Sequence, residues 1–121
     1  MRLFTFSGTS SRPITQFDSV YANITPIARP TGFVQLGCIR LAPGGRVGYH
    51  QADIPQLFLV IEGAGWVRGE APERVAIIAG QAAFWAAGEG HESGTETGMA
   101  AIVLEAETLD PAHYLTEEPT A

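Results

Sequence analysis

The sequence has no lysine, one cysteine and no long apolar run, and each shortage excludes something. A lone thiol, Cys38, cannot close an internal disulfide. No apolar stretch approaches the roughly 18 to 20 residues that would span a bilayer, so no membrane partner is expected. The start, MRLFTFSG, lacks the basic residues and long apolar core of a secretory leader, and a reducing cytoplasm fits best. All seven basic side chains are arginines, set against 13 acidic ones, and the net charge of -6 would repel a phosphate backbone. Nucleic acid is therefore not an expected partner. Long stretches free of glycine and proline are also scarce, because 14 glycines and eight prolines punctuate the chain. That argues against long helices.

What is present suits one domain. At 121 residues and 45% apolar, the chain can bury one compact core, and residues 1–121 read as a single unit. The fold class expected is all-β, with nine or ten short strands at the spacing of a sandwich or barrel. Leu3, Phe4 and Phe6 suggest a first strand, and 19–27 a second. Residues 32–43 read as a longer strand that must turn at Pro43-Gly44-Gly45. RVGYHQA follows, then a break at Ile54-Pro55, then QLFLVIE (56–62), which a Gly63-Ala64-Gly65 turn would close before a hairpin partner WVRGE. Residues 74–80, 81–85, 90–93 and 99–106 continue the series. Asp110 before Pro111 can start one short helical turn, and the end, EEPTA, reads as a frayed tail.

Two segments carry the chemistry. The first is Gly44-x5-His50-x-Ala52-x3-Gln56-x6-Gly63, and the second, 16 residues later, is Gly80-x5-Ala86-x-Gly88-x2-His91-x3-Thr95. Together they resemble the two motifs of the cupin superfamily, in the family's order, across residues 33–104, with 107–121 as a C-terminal tail. The resemblance implies a small antiparallel jelly-roll barrel, a double-stranded β-helix whose closure removes sheet edges. In that family three histidines and a glutamate inside the barrel hold a divalent metal. Here His50 and His91 stand at the first and last histidine positions. Ala52 replaces the second histidine, Gln56 replaces the glutamate, and Ala86 replaces a proline. The implied metal set is thus His50, Gln56 and His91, with a neutral amide as the weak member, for Zn, Ni, Fe or Mn. No organic cofactor is expected.

Around that set, strand alternation places Phe58 and Val60 on the same face as Gln56, pointing into the barrel. Phe84, alongside Trp66 and Trp85, is core filling or part of an apolar wall for a ligand. Arg40, if it faced the cavity, would select a carboxylate, and Glu89 sits in a turn that could reach the barrel mouth. Cys38 reads as a small buried residue, Glu92 as a solvated rim residue, and His113 as exposed. His50 and His91 are the candidate catalytic residues. A metal-dependent dioxygenase, isomerase or cyclase is the activity the resemblance implies for a small-molecule ligand. Two alternatives stay open: a metal-free enzyme in which one histidine is the base and the other the acid, and a non-catalytic binding module. Apolar residues on both faces of QLFLVIE would be explained by a homodimer.

Overall fold

The computed structural model describes residues 1–8 and 11–119. Eleven strands form among them: β1 Arg2–Thr5, β2 Arg12–Pro13, β3 Asn23–Ile24, β4 Thr31–Leu41, β5 Arg46–Gln51, β6 Gln56–Arg68, β7 Val75–Ile78, β8 Gln81–Trp85, β9 Gly90–Gly94, β10 Met99–Thr108 and β11 Thr116–Glu118. A 3-10 turn, Pro111–His113, follows β10, capped by the Asp110 carboxylate accepting from the Ala112 N–H at 3.0 Å. Among the described residues, no helix is long and apolar enough to cross a membrane. The all-β class and the short C-terminal turn are as the sequence implies.

Every pairing is antiparallel. One layer runs β11-β1-β8-β6-β10-β4. The other is built on the second half of β6, which pairs with β7 and β9, and β9 in turn pairs with β5. Strand β6 therefore belongs to both layers. Residues Gln56–Leu59 pair with β8, and Ala64–Val67 pair with β7. The handover occurs at Gly63, where φ is +78°, just after the bulge at Ile61 where the β10 register slips between Ala100 and Ala101. Glycine tolerates that conformation, and a Cβ there would run into the Gly98 carbonyl. The expected Gly63–Gly65 hairpin turn does not form: these residues lie inside one 13-residue strand, and WVR continues it rather than pairing back.

The layer carrying β1, β8, β6 and β10 is buried on both faces. Phe58, Val60, Val67, Ala83, Trp85 and Val103 belong to the core between the layers. Leu57, Leu59, Phe84, Phe4 and Ala106 form a second cluster on the outer face, where Ile27, Ala28 and Leu115 cover them. This gives an internal reason for apolar residues on both faces of QLFLVIE, in place of a partner subunit. Two expectations at the ends are corrected. Only Asn23–Ile24 of 19–27 is a strand, because Phe17, Asp18 and Tyr21 take positive φ values of 63°, 56° and 54° and turn the chain. Glu117 and Glu118 are not frayed: they lie in β11, which pairs with β1 through Leu3↔Glu118 and Phe4↔Glu117. The remaining tail, Thr120 and Ala121, lies outside the described residues. The expected removal of sheet edges also fails, since among the described residues β4, β5, β7 and β11 each pair with a single neighbour.

Candidate functional site

Registry brings the two motif histidines together. His50 on β5 lies directly across from His91 on β9, and their ring centroids are 4.3 Å apart with planes tilted by 56°. Each imidazole is oriented by a main-chain carbonyl two residues before it. His50 Nδ1 lies 2.8 Å from the Gly48 oxygen, and His91 Nδ1 lies 3.3 Å from the Glu89 oxygen. A carbonyl only accepts, so in the neutral ring Nδ1 carries the proton and Nε2 the lone pair. His91 is buried, and its Nε2 has no hydrogen-bond partner. Burial holds this imidazole below its ordinary pKa, against the Glu89 carbonyl and with the help of nearby His50.

Both histidines line a cavity of about 230 Å³ between the layers. Its other wall is the inner face of β4, β10 and β6, arranged in rungs by strand registry. One rung is polar, Gln35 to Glu105 to Gln56, with Trp85 next to Gln56 on β8. The neighbouring rung is apolar, Gly37 to Val103 to Phe58. Trp85 joins the walls: it stacks on His91 with centroids 4.5 Å apart and 25° between planes, and meets Phe58 edge-on at 5.9 Å.

Of the residues singled out in the sequence, the structure gathers His50, Gln56, His91, Phe58, Trp85 and Cys38 around this cavity. It does not gather the others. Val60 is fully buried in the core behind the cavity. Phe84 faces the outer cluster, because alternation along β8 turns Trp85 inward instead. Arg40 is exposed beside a cleft with Glu62 and Met99 at the far end of the sheet, so no arginine reaches the cavity. Glu89 is occupied elsewhere: its carboxylate pairs with the Met1 ammonium and accepts the Ala86 N–H at 3.0 Å. Glu92 is not a rim residue but is buried, with one oxygen 2.7 Å from Arg68 Nε, and that guanidinium holds its carboxyl below the usual carboxylate range. Cys38 is exposed at the cavity edge rather than buried. His113 is exposed, as read. The polar residues that sequence reasoning missed are Glu105 and Gln35. The available signal for Glu105 was a lone carboxylate at the inward parity of an apolar strand, MAAIVLEA.

For a metal, the fit is partial. Two lone-pair Nε2 atoms on adjacent strands, each set by a backbone hydrogen bond, are what an imidazole site requires. Gln56 can add an amide oxygen. No group of three or more His, Cys, Asp or Glu side chains is placed to hold an ion among the described residues. The donor set is therefore two imidazoles and a neutral amide, and His50, His91 and Gln56 would hold the ion.

No protein-family model matches the sequence, and no curated protein does. Solved structures do match. A cupin superfamily protein from Desulfitobacterium hafniense is 13% identical over 80% of this chain and 92% of that one, with a TM-score of 0.58. A predicted oxalate decarboxylase from Thermotoga maritima is 24% identical over 64% of each chain, at 0.53. Salicylate 1,2-dioxygenase from Pseudoaminobacter salicylatoxidans is 19% identical over 60% of this chain, at 0.56, and this chain spans only 19% of it. The two-layer topology, the paired histidines at the ends of two glycine-bounded motifs and these likenesses agree: the chain has the cupin fold.

Proposed function

We propose that the cavity binds a small organic molecule beside a divalent metal held by His50, His91 and the Gln56 amide, and that the protein is a metal-dependent enzyme of the dioxygenase, isomerase or cyclase type. The observation that carries this reading is the buried, unpartnered Nε2 of His91, on a ring whose centroid lies 4.3 Å from that of a second imidazole, His50. A buried nitrogen without a partner is costly, and a fold needing only shape gains nothing from it. The names of the similar dioxygenase and predicted decarboxylase point to small organic substrates for cavities of this fold. When bound, the metal would polarise a substrate oxygen or bring oxygen to the site. The chain's own residues set the ring tautomers through Gly48 and Glu89, and place Phe58 and Val103 against the ligand's apolar part.

The test is elemental analysis of the protein purified without an affinity tag or chelator, repeated for His50→Ala and His91→Ala. Near-stoichiometric metal, lost in both variants, is the expected result. No metal after reconstitution with Zn, Ni, Fe and Mn would overturn it. In that case the lowered pKa of His91 favours a second reading, a metal-free site in which neutral His91 takes a proton from the substrate and His50 returns one.

We also propose that the protein is a cytoplasmic homodimer paired through the free edge of β4.

A further inference from the structure

In the polar rung Gln35–Glu105–Gln56, the metal reading uses only the Gln56 amide oxygen, and neither reading of the histidines uses Glu105 or Gln35. The rung's three side chains sit side by side on three adjacent strands, at the separation of directly opposed residues, and all three face the cavity. They grade from buried Gln56 through half-buried Glu105 to exposed Gln35, so the rung runs from the cavity floor to its mouth. None makes a hydrogen bond or ion pair with any described residue. A half-buried carboxylate between two amides is normally answered by an arginine, a lysine or main-chain N–H groups. Here Arg40 stands at the cleft at the far end of the sheet, and the chain has no lysine. Glu105 is the cavity's one acidic side chain, and no arginine lines it.

We propose that this rung is the recognition site for the polar end of the cavity's ligand, and that this end is an ammonium rather than a carboxylate. The inference rests on the reading of the cavity as a small-molecule site. An ionised carboxylate only accepts, and the Gln35 amide beside it offers a further oxygen, so the rung suits a cationic group with several N–H donors. A carboxylate placed there would face the Glu105 carboxylate with no arginine or lysine side chain lining the cavity to offset it. The neighbouring rung, Val103 and Phe58 with the bare backbone of Gly37, takes the apolar part. The substrate class is therefore a small amine with an apolar or aromatic body.

Benzylamine, benzyl alcohol and benzoate form a matched set that differs chiefly in the charge at the polar end. Their binding is measured by calorimetry and by amide chemical shifts, on the wild type, on Glu105→Gln, and on Glu70→Gln, an exposed position that controls for net charge. The expected order is benzylamine, then the alcohol, then benzoate, with benzylamine favoured over benzoate by about tenfold or more, the size of one charge-assisted hydrogen bond. Glu105→Gln should collapse that preference and Glu70→Gln should keep it. Benzoate binding as well as benzylamine, or a preference that survives Glu105→Gln, overturns the inference. So does the absence of binding by all three in a protein whose metal still depends on His50 and His91, and that outcome leaves the histidine site intact.

Discussion

Trp85 lies flat against His91, with ring centroids 4.5 Å apart, while its indole Nε1 donates to the Arg68 carbonyl at 3.2 Å. One fully buried side chain thus ties the histidine strand to the sheet that carries Gln56. Trp85→Ala should cost about 3 to 5 kcal/mol, the range for emptying a large aromatic from a core. Trp85→Phe keeps a ring against His91 but leaves the Arg68 carbonyl without its donor, and should cost about 1 to 2 kcal/mol. Urea denaturation of both variants checks the ranking, and equal costs would mean that the stack, not the hydrogen bond, is dispensable.

Burial and the neighbouring His50 hold the His91 imidazole below its ordinary value of 6.5. In the unfolded chain it takes up a proton near that value, whereas in the fold it resists doing so until lower pH. Between the two values the unfolded state binds more protons, so stability falls as pH drops below about 6.5 and stops falling once the folded group also titrates. In the metal-free protein, wild type should lose more stability than His91→Asn between pH 7.5 and 5. Parallel stability profiles for the two proteins would mean that His91 is not held neutral by the fold.

Much of this was readable in the residues. The two glycine-bounded motifs pointed to His50, Gln56 and His91 lining one cavity, which they do, because residues two apart on a strand share a face and the motifs fix where that alternation starts. Parity also put Phe58 on the inner face. It failed for Phe84 and Trp85, where QAAFW offers two aromatics on opposite faces and only the pairing Gln56↔Trp85 decides between them. Glu105 and Gln35 escaped for a related reason. Each is unremarkable in its own strand, and they become a site only when β4, β10 and β6 are set in register, which is a long-range fact. Gly63 misled in the other direction: a glycine with positive φ signals a turn locally, yet here it carries one strand from one layer into the other.

Gly37 sits in mid-strand on the cavity wall, and an added Cβ would meet nothing within 4 Å. Its backbone is not in the left-handed region, so a side chain is conformationally free to stand there. Gly37→Val should hold or raise the melting temperature, since a β-branched residue suits a strand. The same side chain would occupy cavity space, so benzylamine affinity should fall at least about tenfold while metal content stays unchanged. A variant that binds as wild type would place the ligand away from the apolar rung.

Strand β4 presents 11 residues with one edge unpaired, no proline and a single charge, Arg40. Phe33, Val34 and Leu36 on it are 57%, 45% and 68% exposed. Natural proteins guard such edges with charges, prolines or bulges, and this one lacks those guards over most of its length. Antiparallel pairing of β4 with its own copy satisfies both edges at once and is self-complementary by two-fold symmetry. It would also bring a second chain beside Gln35 at the cavity mouth. Light scattering at micromolar concentration should report a dimer, and Leu36→Lys should shift it to monomer without lowering the unfolding midpoint of the isolated chain by more than about 0.5 kcal/mol, as expected of a surface change. A wild-type monomer would remove the β4 pairing, and a dimer indifferent to Leu36→Lys would move the interface to another face.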